Sequence, residues 1–407
     1  MTKPTGFAAY LAVTAAYWAF MLTDGALRML VLLHFHTLGF SPVQLAYLFV
    51  IYEIAGVITN LCAGWLAARF GLASTLYAGL ALQLVAMLAL TQLDPSWGIT
   101  VSVIFVMCVQ GLSGVAKDLA KMSSKSAVKT LAPSGEGALF KWVAILTGSK
   151  NAVKGLGFLL GAALLGTLGF QGAILGMVAA LALVFIVVVL RMPSGLPTGL
   201  KGAKFSSVMA TNSAVNWLSL ARVFLFGARD VWFVVGIPIY FYSVWSDGTE
   251  DGNKATFFLI GTFMAIWTIF YGFVQAYAPK ILSRLPVQSA SGLAFVLALV
   301  PLILSGFIVA DVSSLTPILI FGLLTFGALF ALNSALHSYL ILRFTTAERV
   351  TMDVGFYYMA NATGRLVGTV LSGLSYQIGG LAFCLFCAAC MLIISALVAR
   401  RLPATHL

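Results

Sequence analysis

Apolar runs of about twenty residues, separated by short polar stretches, recur along the whole chain. A run of that length crosses a bilayer as a helix. Twelve are readable, over about residues 7–35, 42–67, 73–93, 97–119, 138–168, 171–190, 209–245, 254–279, 287–310, 316–342, 350–377 and 381–399. The pattern predicts an all-α integral membrane protein. Its polar connections alternate in sign. Every second one is basic, holding Lys3, then Arg69, then Lys121, Lys125 and Lys129, then Arg191, Lys201 and Lys204. Lys280 and Arg284, Arg343 and Arg349, and Arg400 and Arg401 continue the series. The other connections carry Asp94, then Asp247, Glu250 and Asp251 beside Lys254, then Asp311. Basic loops stay in the cytoplasm, so both termini are expected there. The stretch 191–208, rich in Gly, Pro, Ser and Lys, reads as a linker between an N-terminal six-helix bundle (1–190) and a C-terminal one (209–407). The first apolar run is too long and too polar inside to be a cleavable signal, so none is expected.

Composition removes the competing classes. Of 407 residues, 61% are hydrophobic and 9% charged, with mean hydropathy +1.03, whereas soluble domains are about one quarter charged. The net charge of +11 is taken up by the cytoplasmic loops, so no nucleic-acid partner is implied. Cys384, Cys387 and Cys390 resemble a metal motif only by spacing; on a helix they fan over a wide arc and read as small packing residues. No phosphate loop, zinc-ligand spacing or nucleophile elbow is present. Neither catalysis, a metal nor a cofactor is expected.

Charges inside the apolar runs carry the functional reading. The first run, YWAFMLTDGALRMLVLLHFH over 17–36, contains Asp24 and Arg28. An ionised side chain at bilayer depth costs at least ~2.5 kcal/mol. One reading is that these two, spaced i,i+4, neutralise each other. The other is a site, and further deep charges favour it. The bases are Arg28, Lys150, Lys154, Arg222, Arg229 and Arg365, with Lys117 near a helix end; the acids are Asp24, Glu53, Asp118 and Asp230. If each acid neutralises one base, cations are left over, and a buried unpaired cation is costly. A small anion arriving as substrate removes that cost. Arginine suits it, because its planar fork binds oxyanions bidentately and stays charged. Lys150 and Lys154 lie one turn apart and roughly 18–24 Å into their segment, too deep to snorkel easily. Arg222 has snorkelling as its alternative. Arg229 has a local pair with Asp230, which the divergence of i,i+1 side chains on a helix disfavours. Asp24, Glu53 and Asp230 are candidates for charge pairing or ion coupling. Asn333 and His337 are hydrogen-bonding candidates for a hydroxylated substrate.

The chain also repeats itself. Gly25-Ala26-Leu27-Arg28 aligns with Gly227-Ala228-Arg229-Asp230, and Gly111, Lys117 and Lys121 with Gly327, Asn333 and His337. Lys154, Gly157 and Gly169 align with Arg365, Gly368 and Gly380, and Arg69 with Arg284. A parallel two-half repeat places a substrate site between the halves near the midplane. With the loop sequence Gly64-Trp65-Leu66-Ala67-Ala68-Arg69-Phe70-Gly71, the chain resembles the major facilitator superfamily. It departs from that family's loop motif at Ala68, where an Asp is usual. The resemblance implies two six-helix halves related by a pseudo-two-fold axis, working by alternating access. It also implies a cavity lined by the first, fourth, seventh and tenth helices. Arg28 and Arg229 match the paired arginines of organic-phosphate members.

Three stretches are more specific: AYWAFMLTDGALRMLVLLHFHTLGF (16–40), YEIAGVITNL (52–61) and GLSGVAKDLAKMSSKSAVK (111–129). In these the chain resembles the bacterial organoarsenical efflux permeases. That resemblance implies an exporter, in the bacterial inner membrane, of 1-arseno-3-phosphoglycerate, the product of glyceraldehyde-3-phosphate dehydrogenase acting with arsenate, and hence a role in arsenate resistance; a monomer is expected. Arg28, Arg229, Lys150, Lys154, Lys117, Arg365, Asn333 and His337 are the expected substrate contacts. An organic-phosphate/phosphate exchanger working as importer, and a membrane sensor that transports nothing, are the alternatives.

Overall fold

A computed structural model describes residues 5–131, 138–192, 212–282, 287, 289–346 and 349–403. The expected linker 191–208 lies, from residue 193 onward, outside them. All regular structure among the described residues is helical. The helices are α1 (Thr5–Thr37), α2 (Pro42–Tyr47), α3 (Val50–Phe70), α4 (Leu72–Leu90), α5 (Ile99–Leu131) and α6 (Ala138–Arg191). Then follow α7 (Ser213–Phe233), α8 (Gly236–Trp245), α9 (Glu250–Leu282), α10 (Ser289–Val309), α11 (Leu315–Phe344) and α12 (Val350–Ala399).

Among the described residues, ten stretches are long and apolar enough to span a membrane, and two of them, Leu146–Arg191 and Met352–Ala399, are long enough for two passes. As one straight rod, the 54 residues of α6 would reach about 80 Å. Instead α6 breaks at Gly169 (φ 67°), and α12 breaks at Gly379 and Gly380 (φ 60° at the latter). A positive φ is open to glycine at no steric cost. The breaks fall between the expected segments 138–168 and 171–190, and between 350–377 and 381–399. Twelve passes result.

Two expected spans are each built from two helices. Ser41 caps α2, accepting from the Gln44 N–H, while the Gln44 side chain accepts from the Ser41 N–H. The chain tightens at Leu48–Phe49 and restarts as α3. α7 gives way to α8 at Val234–Val235, and Pro238, in the first turn of α8, lacks the N–H that would tie it back to Val234. The Ser372 hydroxyl accepts from the N–H groups of Val235 (3.0 Å) and Gly236 (3.3 Å) there.

Glycine contacts set the packing. A Cβ on Gly25 would lie 2.5 Å from the Lys154 carbonyl oxygen and 3.3 Å from the Gly157 Cα. One on Gly368 would lie 3.0 Å from the Gly227 Cα. Thus α1 packs on α6 as α7 packs on α12, through the same pair of aligned glycines, and the repeat read from the sequence is a repeat of contacts. The halves meet along two further seams. On one, Gly148, Gly155 and Gly261 bring α6 against α9; on the other, Gly355 and Gly373 bring α12 against α2 and α3. Small residues allow this close approach between membrane helices.

One end of the bundle is acidic. There the Thr249 side chain and N–H donate to Asp247 at 2.7 and 2.9 Å and hold its carboxyl below the usual range. At that end His34 stacks on Phe170 and His36 meets the Tyr242 ring edge-on.

Candidate functional site

The breaks and seams bring α1, α3, α5, α6, α7 and α12 to one buried ion network. Asp24 of α1 receives the Lys154 ammonium of α6 at 2.5 Å and the Tyr52 hydroxyl of α3 at 2.7 Å. Arg28, one turn further along α1, reaches α3 instead, and its Nη1 lies 3.2 Å from Glu53 Oε1. The same Glu53 oxygen accepts from Arg365 of α12 at 2.5 Å. Arg365 Nε is 3.5 Å from Asp230 Oδ2 on α7, and Asp230 also accepts from Arg229 Nε at 2.6 Å. A continuous chain of charge therefore runs from Arg28 in the first half to Arg229 in the second. At its margin Asp118 of α5 takes Thr59 (2.8 Å), Asn60 (3.2 Å) and Lys121 (3.1 Å), with Lys117 at 3.9 Å.

One alternative falls away and one expectation changes. Asp24 and Arg28 do not pair with each other, because each finds a partner on another helix. Arg229 does pair with Asp230: the long guanidinium side chain reaches back over one residue, which the helical positions alone had disfavoured. The four central cations Arg28, Lys154, Arg229 and Arg365 are not left bare, since all touch carboxylates. The excess survives as sharing. Six cations (Arg28, Lys117, Lys121, Lys154, Arg229, Arg365) meet four carboxylates (Asp24, Glu53, Asp118, Asp230), an excess of two.

Exposure divides by sign. Arg28, Lys154, Arg229 and Arg365 each keep 14–17% of their side-chain surface accessible, whereas Asp24, Glu53 and Asp230 keep 0–3%. What the network presents to an entering solute is positive. Aromatic rings frame it. The Arg28 guanidinium lies 4.9 Å from Phe49, and that of Arg229 lies 5.2–5.8 Å from Phe226, Phe330 and Phe233. The Lys117 ammonium sits 4.0 Å over Tyr52.

Tyr52 is the residue the sequence reading missed. It bonds Asp24 and lies within 6.0 Å of Arg28, Lys117 and Arg365. Its place beside Glu53, on the turn following the α2–α3 break, was the available signal. Lys150 is half-buried one turn before Lys154, and its neighbour Asn151 donates to Gln275 of α9 at 3.0 Å. Arg222 does not snorkel. It is buried, donating to Asn361 and the Ser334 carbonyl at 3.0 Å each and stacked 3.9 Å over Phe226. Asn333 and His337 are fully buried on α11, with none of their polar side-chain atoms hydrogen-bonded. They present no surface to a solute in this conformation.

The superfamily model for the Major Facilitator Superfamily matches residues 9–341. The chain belongs to the major facilitator superfamily. The fold agrees. A D-xylose–proton symporter superposes with a TM-score of 0.73 at 11% identity, covering 99% of each chain. A structure of proton-dependent oligopeptide transporters gives 0.72 at 13% identity, over 97% of this chain and 98% of the other. The inward-open xylose transporter XylE of E. coli gives 0.71 at 12%, over 98% and 97%. No curated protein sequence matches the chain. A transporter fold, not an enzyme, surrounds this ion network.

Proposed function

We propose that this superfamily member exports a small organic anion with two charged ends, 1-arseno-3-phosphoglycerate, from the bacterial cytoplasm, and so confers arsenate resistance. The observation that carries the reading is the accessible face of the network: cations outward, carboxylates behind, and two positive charges in excess. A molecule with a phosphate-like anion at each end supplies at least the two negative charges needed to balance that excess. Arg28 and Arg365, which converge on one Glu53 oxygen, offer one end two forks with Lys154 near them as a point charge, and Arg229 offers a fork to the other end. Lys117 and Lys150 extend the field toward the basic end, while Asn333 and His337 would join only after α11 moves. The choice of arsenic over phosphorus rests on the resemblance of residues 16–40, 52–61 and 111–129 to organoarsenical permeases, since cationic side chains hardly separate the two oxyanions.

The units that rock are taken as residues 1–190 and 209–407, joined by 191–208. The protein works as a monomer, supplied by glyceraldehyde-3-phosphate dehydrogenase. The test uses everted membrane vesicles given that dehydrogenase, its substrate, NAD and arsenate. Arsenic accumulates inside vesicles carrying the wild-type chain. Arg28→Ala lowers the rate about 10- to 100-fold, as expected for losing a charged hydrogen-bond partner. Undiminished uptake by Arg28→Ala removes that residue from the site. Uptake that depends on inorganic phosphate on the opposite side of the membrane makes the protein an exchanger instead.

A further inference from the structure

Glu53 is fully buried, sits between the halves, and is held in an incomplete way. Both of its arginine contacts fall on one oxygen: Oε1 lies 3.2 Å from Arg28 Nη1 and 2.5 Å from Arg365 Nη2. Its second oxygen, Oε2, has no hydrogen-bond partner, and neither does Arg28 Nη2. A carboxylate meeting an arginine well uses both oxygens in a bidentate fork. Here one oxygen bridges two guanidinium groups from two halves of the protein and leaves a donor and an acceptor idle. A tetrahedral oxyanion, with three oxygens, satisfies Arg28 and Arg365 together where one carboxylate oxygen does not.

We infer that Glu53 is a resident counter-anion that the substrate displaces. This rests on the anion reading above and adds what holds the site between cargoes. While the site is empty, Glu53 neutralises Arg28 and Arg365, which unpaired would be costly to keep buried. An arriving oxyanion takes the two guanidinium groups, and Glu53 swings away from at least one of them. Because Glu53 stands on α3 and Arg365 on α12, the exchange breaks a bond across the α3–α12 seam as the anion makes new ones. When cargo leaves, Glu53 reclaims the pair and the empty carrier can return. A residue with this role opposes binding and promotes turnover, the reverse of an ordinary substrate contact.

The test separates those signs. Full-length protein in detergent is titrated with 3-phosphoglycerate, a stable three-carbon molecule with an anion at each end. Turnover is read by counterflow of the same compound in proteoliposomes. Glu53→Gln is expected to bind at least tenfold more tightly than wild type and to turn over at least tenfold more slowly. Glu53→Asp keeps the charge but shortens the reach to Arg365. It is expected to shift both quantities the same way by less, and it stands in if Glu53→Gln does not fold. If wild type binds and either variant binds equally or more weakly, Glu53 is no competitor, and this inference falls while the anion reading stands. If wild type and both variants bind no 3-phosphoglycerate, the anion reading falls and takes the inference with it.

Discussion

Asp24 shows what one side chain contributes to this network. It holds Lys154 at 2.5 Å and Tyr52 at 2.7 Å while itself nearly inaccessible. Neutralising it as Asp24→Asn leaves Lys154 without its carboxylate. Breaking a buried pair by removing one partner costs about 3–5 kcal/mol. Since Lys154 is partly accessible, the lower end applies, and the Tyr52 bond survives in the amide. Thermal unfolding in detergent should therefore show a loss of about 3 kcal/mol. The double variant Asp24→Asn with Lys154→Met removes the stranded charge and should recover most of that stability. If the double variant is no better than the single, the cost lies elsewhere than in the unpaired ammonium.

The helices are positioned by close backbone approach. Where α1 crosses α6, a methyl at Gly25 would stand 2.5 Å from a carbonyl oxygen belonging to the backbone, which has little freedom to yield. Gly25→Ala should cost about 1–3 kcal/mol through overpacking. It should also cut transport, because the displaced segment carries Asp24 and Arg28. Gly176, on the second part of α6, has nothing within 4 Å of the corresponding point. There the same substitution only gains helix propensity and should leave stability unchanged or raise it by up to about 1 kcal/mol. Comparing the two by thermal unfolding tests whether the seam, rather than glycine content, matters. Equal responses would show that the α1–α6 crossing tolerates separation.

The complete carrier places its excess positive charge inside an apolar envelope, and the membrane potential acts on whatever crosses it. An anion leaving a negative-inside cell gains about 2.3 kcal/mol per charge for each 100 mV. Export of such a multiply charged anion without a coupling ion is therefore expected to accelerate when an imposed potassium diffusion potential makes the substrate side negative, and to slow when the sign is reversed. Indifference to both potentials would mean that a compensating ion moves with the substrate. Orientation is open to the same kind of check. A cysteine at Thr249, on the acidic connection, should react with an impermeant maleimide from outside intact cells. One at Thr345, near the basic end, should not.

The twelve passes, the two-half repeat and the membrane location were legible in the sequence, because hydrophobic length and positive φ at glycine are local requirements. Gly169 and Gly380 mark the turns whatever lies around them. The deep charges were legible too, since any ionised residue in such a run stands out against hydrocarbon. Their partners were not. Asp24 lies 130 residues from Lys154, and Glu53 lies 312 from Arg365. Helical spacing could weigh only neighbours: it offered Asp24 with Arg28, which the other deep charges argued against and the fold does not make, and it disfavoured Arg229 with Asp230, which the fold does make. Which cation meets which carboxylate depends on helices brought together by the glycine seams. Folding alone decided that the carboxylates stand behind and the cations in front.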